Sequence, residues 1–270
     1  MKSETGKYPV LQFTKEGSSR VEEAVAGEFP LTIFMNDQEL VTLLCSPMDL
    51  KYLAVGFLLS EGLLAGRDDV TEVVVDDRTG VVRVETSGET DTDRERLFKR
   101  MITSGCGRGA TFYRAADAEG LTKVDSATEI TPGGVFSLVN EFQHYSQLYR
   151  TTHGVHSAGL CDGTRIEVFY EDLGRHNAVD KVFGRCLLDG IATDGRLLIT
   201  SGRVSSEILL KVAKRNVPIV VSISAPTDAA VELAESLGVT LVGSVRGGKM
   251  SVYSHDRRVR DETPVPEEAS

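Results

Sequence analysis

The chain has 270 residues, 30 basic and 40 acidic, a formal net charge of -10 and a sequence pI of about 5.1. That is enough chain to bury a sizeable core, with no global basic surface for duplex nucleic acid. The N-terminal MKSETGKYPVLQF lacks an apolar signal core, and no uninterrupted apolar run reaches bilayer length. These features predict a cytoplasmic protein with reduced thiols that engages neither membrane nor nucleic acid.

In chain order, FPLTIFMNDQELVTLLCS predicts two strands joined around Asn36 and Asp37. Ser46, Pro47 and Asp49 predict the opening of a helix: a cap, a proline in the first turn and an acid close behind. Leu50, Leu53, Ala54, Phe57 and Leu58 recur at helical spacing as its buried stripe, and Gly62 is placed to end it. VTEVVVDDRTGVVRVET reads as a second hairpin, and Gly88 to Leu97, GETDTDRERL, as an exposed polar connection.

The pattern then changes. Val135, Leu138, Val139, Phe142, Tyr145 and Leu148 predict one long amphipathic helix, and SAGLCDGTRIEVFY a hairpin turning at Asp162-Gly163. Val179, Val182, Phe183, Cys186 and Leu187 mark the buried face of the next helix. Strand RLLIT, helix SSEILLKVAKR, strand PIVVSIS, helix TDAAVELAESL and strand VTLVGSV then alternate, which predicts right-handed βαβ units and a parallel sheet. The tail from Asp256, DRRVRDETPVPEEAS, reads as disordered.

Ligands of such sheets settle outside the carboxyl ends of the strands. Three loops fall there: Ser201-Gly202-Arg203, Ala225-Pro226-Thr227 and Arg246-Gly247-Gly248-Lys249. The last combines two cations with two glycines, and Ser205 and Thr227 read as helix N-caps, so an anionic, phosphate-bearing ligand is expected at this edge. G-x-G-x-x-G and Walker A motifs are both missing, which argues against ordinary dinucleotide or P-loop chemistry.

A second polar concentration lies between the long helix and the βαβ run. Thr152, His153 and His156 precede EDLGRHNAVDK, which packs Glu171, Asp172, Arg175, His176, Asn177, Asp180 and Lys181 around a strand-to-helix turn. His176 and Asp180 are four apart, as are Asn177 and Lys181. Surface ion pairs and caps account for such a patch; so does a pocket wall in which a histidine between acids and a base shuttles protons or holds an anion. A zinc deaminase requires H-x-E and P-C-x-x-C. The tripeptide from His156 is HSA and no C-x-x-C occurs, which argues against a catalytic zinc or any other metal site.

Of four widely spaced cysteines, Cys45, Cys161 and Cys186 sit in apolar runs and read as small core hydrophobes. Cys106 differs. It sits in ITSGCGRGA between Gly105, Gly107 and Gly109, with Arg108 two residues on to favour the thiolate. A pliable loop with an ionisable thiol suits a nucleophile that must reach two places.

TSGCGRG, THGVHSAGL, YEDLGRHNAVDKVFG, TSGRVSSEILLKVA and VPIVVSISAPTDAAVELAESLGVTLVGSVRGGKMSVYS together resemble the FdhD/NarQ family, sulfur carriers required for formate dehydrogenase activity. The resemblance runs from about Pro30 to Ser254. It implies an α/β fold: a cytidine-deaminase-like domain over 105–256, a smaller α+β domain over 1–104 and a disordered tail over 257–270. It also implies a homodimer and a sulfurtransferase. In this reading Cys106 takes persulfide sulfur from a cysteine desulfurase and passes it to the molybdenum cofactor, bis(molybdopterin guanine dinucleotide), for the formate dehydrogenase catalytic subunit. Ser244, Val245, Arg246, Gly247, Gly248 and Lys249 match the family's cofactor-binding stretch; Arg108, Thr152, His156, Asp172, Arg175, His176, Asn177 and Arg203 are further pocket candidates.

Two positions depart from the family pattern. Many members carry C-x-x-C at the loop, where this chain has Gly109 in the second position, and the usual TGG-x-H reads Thr152-His153-Gly154-Val155-His156. The first departure keeps a non-covalent cofactor chaperone as the competing expectation.

Overall fold

The computed structural model describes residues 3–87 and 121–260. The chain divides into two units, each discontinuous in sequence. The first comprises residues 3–87, Ser146–Ser157 and Tyr170–Ile191; the second comprises residues 121–145, Ala158–Phe169 and 192–260. The expected boundary at 104/105 lies outside the described residues. Helices are α1 (Leu50–Ser60), α2 (Pro132–Tyr145), α3 (Gln147–Thr152), α4 (Arg175–Asp189), α5 (Ser206–Ala213) and α6 (Asp228–Leu237). Among the described residues no helix is long and apolar enough to cross a membrane.

The first unit opens with a hairpin that sequence periodicity did not predict, β1 (Thr5–Thr14) paired to β2 (Gly17–Ala26). Next come β3 (Phe29–Met35) and β4 (Gln38–Cys45), turning on Asn36 and Asp37 as expected. Both turn residues have positive φ, 47° and 63°, which a two-residue hairpin turn with right-handed twist requires. β5 (Val70–Asp76) and β6 (Val81–Thr86) complete a mixed sheet in the order β4-β3-β6-β5, with β3 parallel to β6. Phe29, Leu31, Ile33 and Met35 are buried on one face of β3 by simple alternation.

Helix α1 starts later than its sequence suggested. Asp49 is the N-cap, with a left-handed φ of 58° and no side-chain cap, so Ser46 and Pro47 precede the helix instead of opening it. Its contact with α4 is unusually close: a Cβ on Gly56 would overlap Asp180 O, and one on Gly184 would overlap Tyr52 O. Two glycines therefore let the helix backbones touch directly.

The predicted long helix is in fact two, α2 and α3, interrupted at Ser146. Ser146 Oγ pairs with Ser157 Oγ, and the Glu171 carboxylate accepts hydrogen bonds from the backbone N–H groups of Leu148 and Tyr149. A carboxylate from another segment thus caps a new helix where the apolar spacing ran on unbroken.

The second unit is built on a six-stranded sheet in the order β12-β11-β10-β9-β7-β8. Its strands are β7 (His156–Cys161), β8 (Ile166–Asp172), β9 (Leu197–Thr200), β10 (Ile219–Ser222), β11 (Thr240–Arg246) and β12 (Lys249–Ser254). The predicted alternation holds: β9, β10 and β11 are parallel, with α5 and α6 between them. Ser205 and Thr227 cap those helices through their side chains, accepting from Ile208 N and Ala230 N. β7 runs antiparallel to β9. Its hairpin to β8 turns one residue later than predicted, on Gly163-Thr164, because the Asp162 carboxylate accepts from the N–H groups of Thr164 and Arg165. Leu197, Ile199, Ile219, Val221 and Val242 join Val135, Leu138, Val139 and Phe142 of α2 in one core. Leu198, Val220 and Leu241 alternate to the other face and are also fully buried.

The tail expected to be disordered from Asp256 begins with fixed structure. Arg258 is 98 % buried and donates to the carbonyls of Val124, Ser126 and Gly238. Val259 bridges Ile130. Residues 261–270 lie outside the described residues.

Candidate functional site

At the carboxyl edge of the second unit's parallel strands the three predicted loops are joined into one rim. Ile223 N donates to Thr200 O at 3.2 Å, and Ser222 Oγ donates to Gly202 O at 2.8 Å. Ser244 N donates to Ser224 O at 3.0 Å, and Thr227 N to Val204 O at 3.0 Å. Backbone and hydroxyl groups that would otherwise be orphaned at strand ends satisfy one another. Ser224, absent from the sequence-based candidates, is a junction of this rim; its only sequence signal is its place at the end of PIVVSIS.

Gly247 and Gly248 have φ of 58° and 72° and form the two-residue turn between β11 and β12. Their first duty is the hairpin itself. The consequence for charge is specific. Arg246 and Lys249 are directly opposed across the ladder, so both exposed cations share one face of the hairpin. Arg203 is also exposed at this edge, and none of the three has an ion-pair partner among the described residues. Ser244, half-buried beside them, holds a left-handed φ of 56°, a costly backbone for a non-glycine residue. Val245 is buried in the core beneath the rim.

The polar cluster of the first unit divides into two parts. Asp172 is wholly buried: Lys181 Nζ lies 2.7 Å from its Oδ2, with Ser46 N at 3.2 Å. Its Oδ1 accepts from Asn177 Nδ2 at 2.8 Å and Gly174 N at 3.1 Å. Lys181 also donates to Glu171 O, and Asn177 to Leu44 O. Asn177 and Lys181, four apart on α4, converge on Asp172, and Asp180 Oδ1 accepts from Ser60 Oγ at 2.6 Å. Ser46 Oγ is buried without a hydrogen-bond partner, the one loose end of this core network.

The second part carries His156, Arg175 and His176, all half-buried. Desolvation holds the His156 imidazole below its usual range, and the nearby positive charge of Arg175 adds to the effect. Arg175 Nε is buried without a hydrogen-bond partner. Thr152 is the last residue of α3, and its hydroxyl donates back to Leu148 O at 2.8 Å. His153 terminates the same helix in left-handed conformation, φ 52°, with its ring edge-on to Tyr149. The glycine of the family pattern falls on a position whose backbone favours glycine.

Cys45, Cys161 and Cys186 are buried free thiols. Burial, reinforced by the negative charge of Asp172, pushes the Cys45 thiol up to about 12; burial also raises Cys161 well above the ordinary thiol range. Cys106 and Arg108 lie outside the described residues. Among the described residues no group of three His, Cys, Asp or Glu side chains is arranged to hold a metal ion.

Fold and rim define a mixed α/β protein with a cationic, hydroxyl-rich edge at the end of a parallel sheet. The chain belongs to the FdhD/NarQ family, whose profile matches residues 26–260. It is 40 % identical over 257 residues to the sulfur carrier protein FdhD of Bacillus subtilis, covering 95 % of this chain and 98 % of that one. It is 42 % identical over 255 residues to the FdhD of Listeria innocua, covering 94 % and 98 %. A crystal structure from Desulfotalea psychrophila, assigned as a candidate formate dehydrogenase accessory protein, superposes with a TM-score of 0.79 at 28 % identity, over 96 % of this chain and all of that one.

Proposed function

We propose that this protein is a sulfur carrier serving formate dehydrogenase, with Cys106 as the sulfur-bearing residue. The observation that carries the reading is the state of the thiols. Family relatives named as sulfur carriers match this chain along nearly their whole length, and three of its four cysteines are buried, two with ionisation opposed by desolvation. Cys106, among glycines and two residues from Arg108, is the remaining candidate.

In the proposed reaction the Cys106 thiolate attacks the outer sulfur of a cysteine desulfurase persulfide. The desulfurase S–S bond breaks, its cysteine leaves as thiolate, and Cys106 becomes the persulfide; no oxidant or reductant is consumed. The molybdenum cofactor, bis(molybdopterin guanine dinucleotide), is the proposed substrate that receives the sulfur. Its phosphates suit the rim: like charges directly opposed across a hairpin repel, and an anion between Arg246 and Lys249 relieves that repulsion. Ser244, Arg203 and the capped N-termini of α5 and α6 add polar contacts at the same edge. Nothing in this scheme uses zinc. A sheet in which a hairpin leads antiparallel into three parallel strands supports the cytidine-deaminase-like comparison. A cytoplasmic homodimer is part of the same proposal.

Incubation with a cysteine desulfurase and cysteine, followed by mass spectrometry of the intact chain, tests the first step. The expected result is a single added sulfur on the wild type and none on Cys106→Ala. Equal loading of both removes Cys106 from the mechanism. Formate dehydrogenase maturation retained by Cys106→Ala favours the non-covalent chaperone, a reading that the glycine at position 109 keeps open.

A further inference from the structure

Arg175 opens α4 with no acidic partner. Its guanidinium has no ion pair among the described residues, and its Nε is shut off from water with no hydrogen-bond acceptor. A buried donor left unpaired costs free energy, and so does a half-buried charge left unbalanced. The two carboxylates nearest in sequence are committed elsewhere. Glu171 accepts from Leu148 N, Tyr149 N and Ser157 Oγ. Asp172 accepts from Lys181 Nζ, Ser46 N, Asn177 Nδ2 and Gly174 N. Asp180, further along α4, accepts from Ser60 Oγ. The first turn of α4 contains no acid, and its N-cap, Gly174, supplies no side-chain cap.

What gathers at this point is positive or donating. α4 runs for 15 residues, and its first intrahelical bond is Ala178 N to Gly174 O. The positive end of its dipole therefore falls at Arg175 and His176. His156, at the start of β7, lies near enough to Arg175 for the guanidinium to oppose its protonation. All three side chains are half-buried, so charge is poorly screened there and a small solute still has access.

We infer that Arg175, with His156 and His176 beside it, holds a tetrahedral oxyanion of the phosphate type at the start of α4. The number and spread of donors select that shape. A guanidinium offers a planar fork to two oxygens, and an imidazole offers a ring N–H. Amides at a helix start add donors from another direction. A carboxylate has two oxygens in one plane and leaves part of such a set unused. The same chemistry is presented by a free oxyanion and by the phosphoryl group of a nucleotide. The site is built within the first unit and draws on neither Cys106 nor the rim loops, so it goes beyond the proposed function.

Titration of the full chain with inorganic phosphate, against chloride of equal ionic strength, tests this by imidazole NMR at about pH 7.5, above the ordinary histidine range. His156→Gln and His176→Gln assign the two resonances. Both should shift and saturate at one dissociation constant, while His144 and His255 stay still. Arg175→Gln should weaken binding about tenfold or more, the scale of a hydrogen bond to a charged group. Arg175→Lys should fall between, because lysine keeps the charge and loses the fork. The urea midpoint of Arg175→Gln should not fall, since the wild-type side chain has no protein partner to lose. Competition with GDP separates the two sources: displaced phosphate assigns the site to a nucleotide's phosphoryl group, and undisplaced phosphate assigns it to the free oxyanion. No saturable shift at His156, or equal binding by wild type and Arg175→Gln, overturns the inference. Sulfur loading of Cys106 is read separately, so failure here does not touch the proposed function.

Discussion

Lys181 Nζ stands 2.7 Å from Asp172 Oδ2, and neither side chain reaches solvent. The pair works because it is saturated: Asp172 also accepts from Ser46 N, Gly174 N and Asn177 Nδ2, and Lys181 donates to Glu171 O. These bonds tie β4, the end of β8 and α4 into one core of the first unit. Removing one charge strands the other in a dry interior, at a cost of about 3–5 kcal/mol. Asp172→Ala and Lys181→Met should each lower stability by that order in urea titrations. The double variant should lose much less than the sum. Additive losses would mean that the two charges are not coupled.

The contact between α1 and α4 makes a sharper steric prediction. Alanine at Gly56 or Gly184 must push backbone against backbone, which no rotamer change relieves. Each variant should lose at least about 3 kcal/mol, the upper range for overpacking. Gly66→Ala is the control. Gly66 has extended backbone and open space around it, so that variant should unfold at the wild-type urea midpoint.

What the sequence disclosed follows from how each element gets its order. β9, α5, β10, α6 and β11 were legible because each strand is a short apolar run and each helix has its own cap at Ser205 or Thr227. The position of the rim follows from those strands, because its loops are the connections at their carboxyl ends. β1 and β2 were not legible: with both faces largely exposed, they show no consistent inside–outside alternation. The break at Ser146 was hidden because it depends on Glu171, more than twenty residues away, which no local spacing encodes. Arg258 looked like one more charge in a polar tail; its burial depends on carbonyls at Val124, Ser126 and Gly238 that only the fold gathers.

His153 offers a prediction about the family pattern itself. Its left-handed φ of 52° ends α3, and a side chain there costs what glycine does not. His153→Gly should stabilise the protein by roughly 0.5–1 kcal/mol, less whatever the edge contact with Tyr149 contributes. The thermal midpoint should rise accordingly. A fall would show that the ring contact outweighs the backbone strain.

His156 links the polar cluster to pH. Burial first, and then the charge of Arg175, disfavour its protonated form in the folded protein. The unfolded chain binds that proton near the ordinary value of 6.5, so unfolding takes up a proton as pH drops below it. The contribution of a neutral His156 is therefore complete above pH 6.5 and is lost progressively as pH falls from there toward the depressed folded value. Arg175→Gln removes the second cause and should move the His156 midpoint upward while leaving part of the depression, because desolvation remains. Imidazole NMR titration of the wild type and Arg175→Gln, with His156→Gln to assign the resonance, reads both. A wild-type midpoint at or above 6.5 would show that burial and Arg175 exert no net depression on the imidazole. An unmoved midpoint in the variant would place the guanidinium too far away to matter.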